Sequence, residues 1–214
     1  MKAVVFDLDG TLLNTLGDIA DSLNAVLVQR GLPAHPTEAY KRFVGGGAID
    51  MIRLAAPDAE AKGHTFTQLL DAYADAYAIR QSNKTAPYEG IPELLQGLAE
   101  RGIAVAVLSN KPHIATQAVV ASYFPDTDFV AVFGQRTGIP IKPDPTGALE
   151  VLALMGLQGQ EAFYVGDSDV DMLTANAAGM RGVAALWGYR GYEELAAAGA
   201  ALFAEHPLDI LQFL

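Results

Sequence analysis

Apolar positions along this chain keep one period near the start and alternate between two periods later. Ala3-Val4-Val5-Phe6 is an unbroken apolar run of strand length. From Leu16, apolar residues recur at Ile19, Ala20, Leu23, Val26 and Leu27, the spacing of one helix face, and the stripe stops at Gly31-Leu32-Pro33. Thr37 is placed to cap a short helix carrying Tyr40, Phe43 and Val44; Gly45-Gly46-Gly47 breaks it, and Ile49, Ile52 and Arg53 resume the period. A further helix runs through Leu69, Leu70, Tyr73, Ala76 and Tyr77. Residues 15–82 show no strand pattern, whereas from about 100 onward strands at 103–108, 129–133, 163–165 and 182–186 alternate with helices near 113–122, 146–155 and 170–178. Ala196–Ala201 reads as helix and turn. Successive βα units require right-handed crossovers, so the expected class is α/β, a doubly wound, mainly parallel sheet between helices. The helical block 15–82 then reads as an insertion into a core built from 1–14 and 83–214.

Composition narrows what such a chain does. At 214 residues it can bury a sizeable core, and 51% hydrophobic with 18% charged residues excludes a disordered chain. The formal charge of −11 disfavours non-specific contact with nucleic acid or an anionic membrane, both of which it repels at long range. An anionic ligand would need local positive charge. With no cysteine, disulfides and thiolate ligands are excluded, and a metal, if bound, is expected to be held by oxygen. There is no basic segment leading into an apolar stretch at the N-terminus and no apolar run near the ~18 residues of a membrane span, so a cytoplasmic protein is the expectation.

Four apolar runs end in chemistry-bearing groups. The first delivers Asp7, Leu8, Asp9, Gly10 and Thr11; while the strand lasts, Asp7 and Asp9 share a side, one suited to nucleophile or metal ligand and the other to proton transfer. The run Ile103–Leu108 ends in Ser109-Asn110, a hydroxyl and amides able to hold phosphoryl oxygens. Lys142 follows Ile139-Pro140-Ile141 and precedes Pro143, where the prolines restrict the direction of its ammonium. Phe163-Tyr164-Val165 runs into Gly166-Asp167-Ser168-Asp169-Val170-Asp171, a carboxylate cluster at a strand-to-helix junction. In doubly wound sheets ligands bind beyond the carboxyl ends of the strands, which is where Asp7, Ser109 and Asp167 fall.

In this order, Asp-Leu-Asp-Gly-Thr at 7–11, Ser109, Lys142 and Gly-Asp-Ser-Asp-Val-Asp at 166–171 resemble the haloacid dehalogenase superfamily over nearly the whole chain. Pro87 with Gly90-Ile91-Pro92-Glu93-Leu94-Leu95, Ser109-Asn110-Lys111-Pro112 and Trp187-Gly188-Tyr189 look like its phosphoglycolate phosphatase group. The resemblance implies a phosphatase acting on a small phosphorylated metabolite such as 2-phosphoglycolate. Asp7 is then the nucleophile that forms an aspartyl-phosphate, and Asp9 the group that protonates the leaving alcohol and deprotonates the hydrolytic water. Asp9 is accordingly expected to face neighbouring negative charge that helps it hold a proton. Mg2+ is the implied cofactor, with the Asp7 carboxylate, the Asp9 carbonyl and Asp167 as ligands; Ser109, Asn110 and Lys142 bind the phosphate, and Asp171 orients Lys142 or a metal-bound water. The helical insertion becomes a cap, with Arg42 as the candidate that reads a carboxylate on the leaving group.

Several residues have plainer readings. His113 is a helix-start structural histidine, Asp169 a surface or capping residue, and Trp187 and Tyr189 are packing or loop anchors. Lys41, Arg42 and Gly45–Gly47 read equally as a solvated basic turn. A sugar phosphomutase using the same aspartates, a pyrophosphatase, and a phospho-accepting signalling module on a doubly wound sheet are the alternatives. The expected partner is the small phosphorylated metabolite, not nucleic acid or membrane, with the protein a monomer or homodimer.

Overall fold

The computed structural model describes residues 1–214. In chain order the elements are β1 (Ala3–Phe6), β2 (Leu13–Asn14), α1 (Leu16–Gln29), α2 (Tyr40–Phe43), α3 (Ala48–Ala55), α4 (Phe66–Arg80), β3 (Ala86–Pro87), α5 (Ile91–Glu100), β4 (Ala104–Pro112), α6 (His113–Tyr123), β5 (Phe129–Gln135), α7 (Thr146–Met155), β6 (Ala162–Gly166), α8 (Asp169–Ala177), β7 (Arg181–Ala185), α9 (Tyr192–Ala197) and β8 (Leu202–Ala204). Contacts divide the chain into two compact units: Met1–Asn14 with Pro87–Leu214, and Thr15–Ala86.

The first unit is the α/β fold that the alternating pattern predicts. Six strands form one sheet in the order β5-β4-β1-β6-β7-β8, every neighbouring pair parallel. Successive β1 residues bury opposite faces. Val4 and Phe6 join a core with Ile91, Leu94 and Leu98 of α5 and Val119 of α6, while Ala3 and Val5 join another with Ala148 and Val151 of α7 and Ala175 of α8. A strand covered on both sides must be apolar throughout, which is why the first run carries no polar residue before Asp7. The short final strand β8 extends the sheet beyond β7, and three residues are too few to carry a periodic signal.

Register sets the site. Phe6 pairs with Val107 of β4 and Val165 of β6, so Asp7, the end of β4 and Gly166-Asp167 emerge at one edge. The Asp7 amide still donates to the Val165 carbonyl at 2.9 Å, which fixes the residue where the strand ends. Gly10 turns the chain at φ +91°, a conformation that disfavours any Cβ.

The second unit is helical. Thr65 and Gln68 cap α4 reciprocally, the Gln68 amide donating to Thr65 Oγ1 and the Thr65 amide to Gln68 Oε1. Tyr40, Ile52 and Leu69 are fully enclosed. Asp18, in the first turn of α1, is buried and joins two segments distant in sequence: its carboxylate accepts from the Lys84 amide at 3.0 Å, the Thr85 amide at 2.8 Å and the Thr85 hydroxyl at 2.7 Å. No helix of the protein is long and apolar enough to cross a membrane.

Candidate active site

Four carboxylates and two ammoniums meet at the carboxyl edge of the sheet. Asp7, Asp167 and Asp171 are buried, with one carboxylate oxygen from each within 4.8 Å of the others. Lys142 reaches into this cluster with its side chain only 4% exposed, Nζ lying 2.7 Å from Asp171 Oδ1 and 2.9 Å from Asp7 Oδ1. The Lys142–Asp171 contact is a well-formed hydrogen bond. Asp7 Oδ1 instead meets the ammonium off the hydrogen-bond axis and has no donor of its own.

The loops that carry these groups are held by their own sequence. Asn110 closes a two-point clasp on Lys142, its Nδ2 donating to the Lys142 carbonyl at 3.0 Å and its Oδ1 accepting from the Lys142 amide at 2.9 Å. The Asn110 carboxamide is thus committed at both ends to the backbone of the catalytic-lysine candidate, and any hold of this residue on phosphate falls to its backbone amide. Asp171, the third residue of α8, accepts at Oδ2 from the Ser168 amide and hydroxyl, leaving Oδ1 for Lys142. It orients Lys142, as the resemblance implies. Asp167 is seated by Thr11 Oγ1 at 2.9 Å and the Tyr189 amide at 2.8 Å. A Cβ at Gly10 or Gly188 would overlap the Asp167 side chain, so both glycines make room for that carboxylate.

Burial and charge shape the site together. Burial pushes Asp7 up to about 7 even against the pull of Lys142, with Asp171 adding repulsion. Asp167 is driven well above the usual carboxylate range by burial, then by Asp171 and Asp7, against the opposing hydrogen bonds from Tyr189 and Thr11. Burial disfavours the Lys142 ammonium, yet Asp171 and Asp7 hold it well above the ordinary lysine value. When all are ionised, Asp7, Asp9, Asp167 and Asp171 against Lys111 and Lys142 leave two negative charges. One divalent cation would balance them. An oxygen-only donor set with an orphaned buried oxygen on Asp7 fits a hard cation of the magnesium kind.

Asp9 differs from expectation. Both its oxygens face the Lys111 ammonium, at 3.0 and 3.1 Å, rather than neighbouring negative charge. Lys111, which the sequence shows only as part of the Ser109-Asn110-Lys111-Pro112 motif, is thereby part of the site. It follows Ser109 by two positions, but the register of β4 is irregular between Leu108 and Pro112, so strand alternation alone could not have pointed it at Asp9. Ser109 is buried and its Oγ accepts from the Lys111 amide at 3.3 Å. His113 Nδ1 accepts from the Gly134 amide at 3.2 Å, a structural contact. Trp187 Nε1 donates to the Thr11 carbonyl at 2.9 Å, the anchoring role expected of it. The gathered residues all come from the α/β unit; Arg42 belongs to α2 of the helical unit and is exposed there.

Strand order, the aspartates at the first strand end, the lysine on the third loop and the acidic fourth loop define a haloacid dehalogenase-like hydrolase. The chain belongs to that family, whose pattern it matches over residues 4–185. Among curated relatives it is 36% identical over 188 residues to the phosphoglycolate phosphatase of Mesorhizobium japonicum, covering 87% of this chain and 83% of that one. It is 34% identical over 194 residues to the phosphoglycolate phosphatase of Mannheimia succiniciproducens, covering 88% and 87%. Among solved structures, one described as a predicted phosphoglycolate phosphatase from Haemophilus somnus superposes with a TM-score of 0.92 at 27% identity, covering 100% of this chain and 97% of that one.

Proposed function

We propose that the protein is a magnesium-dependent phosphatase of small phosphomonoesters, with 2-phosphoglycolate the favoured substrate, acting through an aspartyl-phosphate on Asp7. The observation that carries the reading is the Asp7 carboxylate, buried among Asp167, Asp171 and Lys142 with an oxygen that no hydrogen-bond donor satisfies. The names of the relatives support the substrate class.

Magnesium, held by Asp7, Asp167 and the Asp9 carbonyl, would supply charge neutralisation for the phosphoryl oxygens. The protein's own groups do the rest. Asp7 attacks phosphorus, the bond to the ester oxygen breaks, and Asp9 passes a proton to the departing alcohol. Water then attacks phosphorus, Asp9 takes its proton, and Asp7 is released with inorganic phosphate. Lys142, steered by Asp171 and by the Asn110 clasp, offsets charge on the transferring group, and Ser109 donates to a phosphoryl oxygen. The helical unit is the cap in this reading, and its exposed Arg42 the group that meets the carboxylate of the leaving group.

The test is phosphate release from 2-phosphoglycolate, sugar phosphates, nucleotides and pyrophosphate, with magnesium and with chelator. Magnesium-dependent release with a sharp preference for 2-phosphoglycolate is expected. Absence of release from every member, or turnover only when a sugar bisphosphate is added, would overturn the reading, the latter in favour of a mutase.

A further inference from the structure

Lys111 is a buried cation that the scheme above leaves without a task. Its backbone is clamped on three sides: the amide donates to Ser109 Oγ at 3.3 Å, the carbonyl accepts from Thr116 Oγ1 at 3.2 Å, and a Cβ at Gly134 of β5 would collide with that carbonyl. From this fixed base the ammonium reaches Asp9 and contacts its two oxygens almost equally, at 3.0 and 3.1 Å, with the two side chains 5% and 11% exposed. Lys142 cannot serve Asp9 in the same way, because its ammonium is engaged by Asp7 and Asp171. Without Lys111, Asp9 would stand two residues from Asp7 beside a cluster of carboxylates that repel it, free to turn toward water.

We propose that Lys111 is a positioning residue that holds the Asp9 carboxyl where it exchanges protons with the leaving oxygen. The proposal rests on the reading of Asp9 as the acid and base of a phosphatase. The two lysines then divide the work: Lys142 faces the nucleophile and the phosphate, and Lys111 faces the proton carrier. A group that hands over a proton has to be within hydrogen-bond reach of the leaving atom; its loss of placement slows the shared hydrolysis of the aspartyl-phosphate for every substrate, but slows departure of the leaving group, the step kcat/KM reports, only for substrates that need the proton.

Leaving-group dependence separates this role from a structural one. We would compare kcat/KM for 2-phosphoglycolate, whose alkoxide needs protonation, with that for p-nitrophenyl phosphate, whose nitrophenolate departs without it. The proteins are the wild type, Lys111→Met, Lys111→Arg, Asp9→Asn and Lys111→Met/Asp9→Asn, all with magnesium. Lys111→Met is expected to lose about 100-fold on 2-phosphoglycolate and less than about 10-fold on p-nitrophenyl phosphate. Lys111→Arg is expected to restore part of the loss, and the double variant to be no worse than Asp9→Asn alone. Equal losses on both substrates, additive losses in the double variant, or a raised KM for 2-phosphoglycolate at unchanged kcat would each overturn the proposal. If Lys111→Met does not fold by circular dichroism, Lys111→Arg carries the same comparison, because a longer planar head displaces Asp9 without removing the charge. A wild type inactive on both substrates, or a fully active Asp9→Asn, would instead sink the phosphatase reading itself.

Discussion

Replacing Lys142 by methionine keeps the length of the side chain and removes its charge. In the native protein that ammonium lies 2.7 Å from Asp171 and 2.9 Å from Asp7, almost wholly out of water, so the variant leaves two buried carboxylates without their nearest cation. Breaking a buried ion pair from one side costs about 3–5 kcal/mol. For a chain of this length that corresponds to a fall in Tm of about 6–20 °C, at about 2–4 °C per kcal/mol. The loss has a pH signature. Asp7 already sits at about 7, above its ordinary 3.8, and Lys142 is the group that pulls it down; removing the lysine raises it further. A carboxyl raised in the folded state favours folding while protonated, and that advantage is lost as pH climbs through the folded value. The deficit of Lys142→Met is therefore larger at pH 8 than at pH 5, and Asp171→Asn in the same chain should recover part of it by removing one unpaired charge. Thermal melts of the three proteins in chelator, at both pH values, make the measurement. A Lys142→Met protein that melts within about 2 °C of the wild type at pH 8, or whose deficit grows in acid, would refute the reasoning.

Other outcomes follow from the same geometry. Asp7→Asn is expected to abolish phosphate release without lowering the Tm at pH 8, because it removes the charge that burial and Asp171 oppose; wild-type-like turnover in a pure preparation would exclude Asp7 as nucleophile. Magnesium should raise the Tm more at pH 8 than at pH 5, since Asp7 and Asp167 are both raised in the metal-free fold and must shed protons to bind a cation; calorimetry showing an equal or larger increment at pH 5 would contradict this. Asp18→Ala strips the acceptor from the Lys84 amide and from the amide and hydroxyl of Thr85, at a cost of about 3 kcal/mol; hydrogen exchange at Lys84 and Thr85 no faster than in the wild type would show that the carboxylate does not hold that segment.

Much of the α/β unit was legible because its strands are continuous apolar runs and its helices begin where those runs end. The helix expected at 146–155 is α7 as observed, and the strand expected at 163–165 is extended by one residue on each side. Asp7, Lys142, Asp167 and Asp171 could be named because each follows an apolar run closely, and strand ends in a parallel sheet converge. What stayed hidden depends on side-chain direction. Nothing in Ser109-Asn110-Lys111 tells that the asparagine turns to the Lys142 backbone while the lysine turns to Asp9. Gly188 looked like part of an aromatic loop, and only packing shows that its missing side chain is the space the Asp167 carboxylate uses. Asp18 was one polar residue in a helical stripe, its four-contact role set by residues more than sixty positions away.

The central place of β1 in the sheet bears on how the protein is born. Ala3–Phe6 leaves the ribosome well before both of its neighbours, Ala104–Val107 and Ala162–Val165. Until the second of these has been synthesised, an apolar segment with open edges waits for a partner, while the helices of Thr15–Ala86 can already pack among themselves. Asp7 reaches its final surroundings only once Val165, Asp167 and Asp171 have been made, so the nascent protein acquires its catalytic chemistry late, and β1 is the segment most in need of protection from self-association until then.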